Sequence, residues 1–277
     1  MTDEIPSINV SYPNSFLLGK WQQFRQRQQK ENARRLKSKP LACFQHLIKT
    51  SKLIAETNPR GLVDLVRAIL RPLQSEYLLG VAERGQDALP SIDSDTFFGE
   101  AIRTRMFTAD GMDFRGTRLE GKHYKVKLSR DIVLPWAWSL RRYVDAVATI
   151  GSSKALIDGG EWDRVSQGAW CQDENHQVEL WLPWGICFVN GGNHSITAGI
   201  LAGEGEIVPD YVYDMGYLLD EVHCNGMFYF DTRTGDKVAP VDDSRRAAVF
   251  EIGRVMRDLN FPAFKFETQD ANTLLSL

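Results

Sequence analysis

Three features of the sequence predict an α+β fold. Residues up to about 106 repeat apolar side chains at helical spacing, residues from 123 onward alternate short β-forming runs with glycine turns and short helices, and residues from 243 return to a long helical pattern. The expected organisation is a helical N-terminal region over residues 1–107, a linker or insert over 108–122, a mixed-sheet domain over 123–241, and a C-terminal helix and tail over 242–277.

Composition narrows the function classes. At 277 residues with a formal net charge of −3, the chain is long enough to bury a core, and any basic surface must be local. Cys43, Cys171, Cys187 and Cys224 are far apart and lack zinc-type spacing, so they read as reduced thiols. The start, Met1-Thr2-Asp3-Glu4, lacks the pattern of a signal peptide, and no apolar run approaches the ~18 residues that span a bilayer. A cytoplasmic protein with no membrane partner is the expectation.

In chain order, residues 15–39 read as a helix whose apolar stripe, Leu17, Trp21 and Phe24, gives way to Arg25, Arg27, Lys30, Arg34, Arg35, Lys37 and Lys39. Two readings of that basic stretch, Arg25 to Lys39, stand: a solvated helix face, or a contact for nucleic acid. Residues 41–56 carry Phe44, Leu47, Ile48 and Ile54 in helical register, and Asn58-Pro59 reads as the cap and first turn of the next helix. That helix places Leu62, Val66, Ile69, Leu73 and Tyr77 on one face, and Pro72 is expected to kink or divide it. A further helix starts near Asp93 or Ser94 and carries Phe97, Phe98, Ile102 and Met106. These helices would cover the sheet or join a second copy or another protein. The sheet domain then opens with a strand over 123–128, followed by a helix capped by Ser139 that turns Leu140, Val144, Val147 and Ile150 to the core. A hairpin is expected from strands over 165–171 and 177–182, with Trp162, Trp170, Trp181 and Trp184 clustered about it as core or as a base-stacking surface. His176 and Glu179 are polar candidates whose side of the sheet depends on register. Residues 207–213 form a strand, residues 227–231 and 237–240 a hairpin, and Asp243 or Ser244 starts a helix that buries Ala247, Phe250, Ile252, Val255 and Leu259.

The chemistry concentrates at residues 185–203. Ile186-Cys187-Phe188-Val189 is fit for a buried strand, Asn190-Gly191-Gly192 stops it, and Asn193 reads as the N-cap of a short helix ending at Gly203. A strand, a glycine turn and a helix N-terminus aim backbone N–H groups at one point, which suits a phosphate or carboxylate, and His194 would sit there. The same residues also fit a plain tight turn. Arg141 and Arg142 fall in the first turn of the preceding helix, an unfavourable place for cations unless an anion or carboxylate is close.

Phe188-Val189-Asn190-Gly191-Gly192-Asn193-His194-Ser195 resembles the signature turn of the ParB/sulfiredoxin-like superfamily. Gly205-Glu206-Ile207-Val208-Pro209-Asp210-Tyr211-Val212 is similar to its downstream strand, and Val126-Lys127-Leu128-Ser129-Arg130-Asp131-Ile132-Val133-Leu134-Pro135 to its opening strand and the entry to its first helix. The resemblance implies a ParB/sulfiredoxin-like mixed sheet and a nucleotide, ATP or CTP, held by Gly191, Gly192, Asn193, His194 and Ser195 with help from Arg141 and Arg142. It departs at two places. Asn193 stands where sulfiredoxins keep their catalytic cysteine, which removes sulfinic acid reduction by that route, and Ser195 stands where an arginine is usual.

Three readings follow. In the first, an enzyme acts on a phosphoryl group by nucleotide hydrolysis, phosphotransfer or nuclease chemistry. His194 and Asn193 would be its catalytic residues, and Asp210 and Asp214 its candidate ligands for Mg2+. The second is a nucleotide-sensing module that grips DNA or a protein. The third, implied only by the resemblance, is a structural or toxin-type subunit of a bacterial defence or plasmid-associated system.

Overall fold

The computed structural model describes residues 40–85, 94–109, 111–154 and 166–259. The expectations for residues 1–39, including the stretch Arg25 to Lys39, for Asp93, Trp162 and Val165, and for the tail after 261 lie outside the described residues.

Helix α1 (Pro40–Thr57) leads through a turn into α2 (Gly61–Arg84). The N-cap of α2 is Arg60, two residues after the Asn58 that the sequence predicts, and Asn58 Oδ1 accepts from the Arg60 amide at 3.1 Å in the turn before the helix. Pro72 does not divide α2, which runs through it as one helix of 24 residues. The helix is pinned near the proline: Leu62, Val66, Leu70, Leu78 and Val81 are buried, and Gln74 Nε2 donates to the Val133 carbonyl at 2.7 Å. Apolar burial and these cross-links outweigh the hydrogen bond that proline removes. Phe97 and Phe98 are buried in the turn before α3 (Glu100–Met106), whose Ile102 and Met106 are fully buried.

Residues 108–122 are part of the fold, where the sequence predicts a linker or insert. Phe107 and Phe114 pair across a bridge, and Thr117–Leu119 forms strand β1 at one edge of the main sheet. A three-residue strand with Arg118 exposed is too short to show alternation. Gly121 is there for close approach, since a Cβ would come within 2.1 Å of the Pro209 carbonyl.

The remaining elements are β2 (Val126–Lys127), β3 (Ile132–Leu134), α4 (Leu140–Thr149), β4 (Val178–Leu182), β5 (Ile186–Val189), α5 (Asn193–Ala202), β6 (Glu206–Ile207), β7 (Tyr211–Asp214), α6 (Tyr217–Glu221), β8 (Val222–Cys224), β9 (Phe228–Asp231), β10 (Lys237–Pro240) and α7 (Ser244–Asp258). The main sheet has the order β1-β7-β4-β5-β3, with β3 parallel to β5, β4 parallel to β7, and β4 antiparallel to β5. Strands β2 and β6 pair separately, as do β8, β9 and β10. The architecture is α+β.

Alternation along the strands sends side chains to two cores. On one face Ile132, Leu134, Trp181, Ile186 and Phe188 meet Leu62, Val66 and Leu70 of α2, Ile102 of α3 and Phe250 of α7. The N-terminal helices therefore share a core with the sheet. On the other face Val133, Val178, Leu180 and Cys187 meet Ala146 of α4 and Ile196 and Ala198 of α5. Trp170, Trp181 and Trp184 are all buried, so these three rings are core.

Several local expectations need correction. The strand expected over 123–128 is reduced to β2, and the one over 207–213 is split into β6 and β7 by Val208, Pro209 and Asp210. Among the described residues strand β4 pairs with β5 and β7 and with no strand before it. Gln167 donates to the Thr149 carbonyl and Trp170 to Glu204 Oε1, both at about their ordinary lengths (2.8 and 2.9 Å), so this segment lies across α4 and α5 instead of forming a hairpin. On α4 Leu140 and Val144 are exposed, at 44% and 54%, while Ala146, Thr149 and Ile150 are buried. The β9–β10 hairpin is present, and Asp243 caps α7 by accepting from the Arg245 and Arg246 amides at 2.8 Å. Leu259, expected in the core, is 47% exposed.

Candidate functional site

Parallel strands β3 and β5 end at the same edge of the sheet, and each hands the chain to a helix on the same face. Residues 135–139 lead into α4 and residues 190–192 into α5. The first turns of the two helices are joined by side chains. Asn193 Oδ1 accepts from the Trp136 amide at 2.6 Å, and His194 Nε2 accepts from the Ser139 amide at 3.1 Å. Ser139 in turn caps α4, its side chain accepting from the Arg142 amide at 3.5 Å.

The glycine turn is shaped by the protein behind it. Gly192 has φ +73° and ψ +20°, the left-handed region, and a Cβ there would lie 2.5 Å from His176 Cδ2. A Cβ on Gly191 would lie 2.5 Å from the Asn175 carbonyl. The amides of Asn190 and Gly191 both donate to the Gln177 carbonyl, at 2.8 and 3.1 Å. Gly192, and not Asn193, is the N-cap of α5, and it supplies no side-chain cap. Asn193 is the first helical residue, and its carboxamide oxygen is engaged by the Trp136 amide. The amides of Asn193, His194 and Ser195 are thus left without a protein acceptor among the described residues.

His194 is half-buried, and its pKa is lowered, first by burial and then by the nearby Arg142 guanidinium. Because Nε2 accepts the Ser139 hydrogen, the neutral ring carries its own hydrogen on Nδ1, which has no protein partner among the described residues. Trp138 packs edge-on against His194 with centroids 5.5 Å apart, and the Arg142 guanidinium lies 5.2 Å from the Trp138 ring centre. Arg141 is 92% exposed and only loosely paired with Asp145, at 3.9 Å. Trp136 and Trp138 are 36% and 38% exposed. The sheet edge therefore presents the positive ends of two helix dipoles, two arginines, a neutral imidazole donor and two accessible indoles.

Ser195 faces the other way. Its Oγ lies 2.9 Å from His176 Nε2 and 3.0 Å from Trp170 Nε1, and both partner rings are buried. With Asp173 Oδ1 2.9 Å from His176 Nδ1, the chain Asp173–His176–Ser195 has the distances of a nucleophile triad but the opposite polarity. The Asp173 amide hydrogen is aimed at Nδ1 over 2.7 Å, which makes Nδ1 an acceptor and puts the ring hydrogen on Nε2. Protonation of the ring leaves Nε2–H in place. His176 therefore donates to Ser195 and does not serve as its base.

The structure does not bring Asp210 and Asp214 together. Asp210 Oδ2 accepts from the Val178 amide at 2.9 Å at the edge shared with the glycine turn, whereas Asp214 accepts from the Gly216 amide at 2.8 Å beyond the far end of the same strand. Four residues of extended chain separate them by about 13 Å, too far to share one ion. Among the described residues no group of three or more His, Cys, Asp or Glu side chains is placed to hold a metal. Glu179 lies on the opposite sheet face from His176, where burial raises its carboxyl. The sequence leaves the exposure of Trp136 and Trp138 and the role of His176 undecided. The alternation His176, Val178, Leu180 is the signal that assigns His176 to the face covered by α5.

No helix among the described residues is long and apolar enough to cross a membrane. No curated protein and no solved structure matches the chain. One family model does, described as a family of unknown function, and its match from residue 19 to residue 263 takes in every element from α1 to α7, the glycine turn included. By that match the chain belongs to the DUF6710 family.

Proposed function

We propose that the junction of α4 and α5 binds the phosphate group of a nucleotide, with the base resting on the exposed indoles of Trp136 and Trp138. The observation that carries this reading is the joining of two helix N-termini through His194 and Ser139, which leaves the α5 first-turn amides and His194 Nδ1–H as donors with no protein acceptor among the described residues. Such a set favours an oxyanion. Arg141 and Arg142 supply the charge that the turn lacks with Ser195 in the arginine position, and the resemblance to the ParB/sulfiredoxin-like superfamily points to the same ligand class.

Of the readings drawn from sequence, nucleotide binding has more support than turnover. His194 has Nε2 engaged by a backbone amide, and Asp210 and Asp214 each accept a backbone hydrogen bond at opposite ends of β7. An enzyme acting on the bound phosphoryl group would rely on positioning and electrostatic stabilisation by the amides, His194 and the arginines. Mg2+ would then arrive on the nucleotide, with Asp210 the nearer of the two carboxylates to the turn.

Calorimetric titration with ATP, CTP and GTP, each with and without magnesium, tests the reading on the wild type and on His194→Ala. Binding of one nucleotide that the variant loses at least tenfold supports it. Absence of binding to all three contradicts it, and phosphate release measured on the bound nucleotide separates an enzyme from a switch.

A further inference from the structure

One face of α4 serves neither core. The helix buries Ala146 against α5, and Ile150 follows into the same core just past its end. Leu140, Val144 and Ala148 stand at i, i+4 and i+8 and so form a single ridge along the helix. All three are exposed, and Leu140 and Val144 are among the most open large apolar side chains of the described residues. A helix that already has a buried side gains nothing from a second apolar ridge turned to water.

Such a ridge is complementary to itself. Ridges of i, i+4 side chains pack into the grooves beside identical ridges, the commonest way for two helices to cross, and a two-fold axis brings the same patch of two copies together. The charges beside the ridge fit the same symmetry. Arg141 and Asp145 lie along one flank, 92% and 66% exposed, and at 3.9 Å they are too far apart for a hydrogen bond. A two-fold crossing at Val144, with the helices running in opposite directions, turns Arg141 of each copy toward Asp145 of the other.

We propose that this face of α4 joins two copies of the chain, with Leu140 and Val144 packed across the axis and Arg141 paired with Asp145 of the partner subunit on either side. The occupant is a second copy because one ridge and one flank supply both the apolar surface and both signs of charge. The contact is small, so the dimer is weak and forms with rising concentration. With Arg141 engaged there, Arg142 is the arginine left to the nucleotide site.

Sedimentation equilibrium of the full chain without nucleotide, over a series of concentrations, tests this. The wild type should form a dimer. Val144→Glu, which puts a charge into the apolar contact, and Arg141→Glu, which sets like charges against each other, should each weaken association about tenfold or more. Arg141→Glu combined with Asp145→Arg exchanges the two signs and should recover most of the lost affinity. All these positions are exposed, so thermal unfolding of each variant should match the wild type. A wild type that stays monomeric, a dimer that Val144→Glu leaves intact, or an exchanged pair no better than Arg141→Glu alone overturns the proposal. A fall in the unfolding temperature of monomeric Val144→Glu overturns it too, since the chain would then be covering its own ridge.

Discussion

His194 Nε2 accepts the backbone hydrogen of Ser139 across 3.1 Å, and this one bond ties the start of α4 to the start of α5. It decides the ring's tautomer, while burial and the nearby Arg142 guanidinium lower its pKa. Removing it with His194→Ala deletes the bond and opens a polar gap at the sheet edge, so stability should fall by about 1 kcal/mol. Nucleotide affinity should fall more than that, by tenfold or beyond. Urea unfolding and calorimetry on the same preparation compare the two losses.

The depressed pKa of His194 also fixes the sign of a pH effect. In the unfolded chain its imidazole takes up a proton near pH 6.5, whereas in the folded protein burial and Arg142 delay that uptake to lower pH. Between the two values the unfolded state binds more protons, so stability rises with pH and levels off above about 6.5. His194→Gln should flatten that part of the stability profile, as measured by urea unfolding between pH 5 and 8.

Gly192 and Gly235 both have φ near +75°, but their surroundings differ. A Cβ on Gly235 meets nothing within 4 Å, so Gly235→Ala should cost only the backbone strain of about 1–2 kcal/mol. A Cβ on Gly192 runs into His176 at 2.5 Å, and Gly192→Ala should cost clearly more and displace the α5 first turn. Equal losses in chemical denaturation would contradict the packing account of the turn.

Asp131 gives a control far from the nucleotide contacts. Its carboxylate is fully buried, 2.6 Å from the Arg67 guanidinium and accepting the Lys127 amide at 2.7 Å. Asp131→Asn leaves Arg67 without its buried counter-charge and should destabilise the fold by about 3–5 kcal/mol. Nucleotide affinity of the folded fraction should be unchanged.

If Trp138 supports a base, Trp138→Ala should weaken nucleotide binding by about 1–3 kcal/mol, the range for one stacked base. Inorganic phosphate, which has no base, should lose far less. Parallel titrations with both probes check this.

Much of this fold is legible in the sequence because the signals are local. The stripe Leu62, Val66, Ile69, the run Ile186-Cys187-Phe188-Val189 and the cap Asp243 each specify an element without reference to distant partners, and each is found where expected. What escapes is decided by tertiary contacts. Pro72 is carried through α2 by burial on both sides, and β1 exists only because β7 offers it an edge. At the site the glycines, Asn193, His194 and Ser195 adjoin one another as the spacing implies. Their hydrogen-bond directions depend on Trp136, Ser139, His176 and Trp170, which no local pattern connects to them. Asp210 and Asp214 looked like a pair because they are near in sequence, and an extended strand keeps them apart.

The most direct test of the central claim is an NMR titration of the 15N-labelled chain with ATP, CTP and GTP, read at the backbone amides. The account predicts that one nucleotide moves the amides of Asn193, His194 and Ser195 most, together with the indole N–H of Trp138. Nucleotide shifts confined to other residues, with these three amides unmoved, would contradict it.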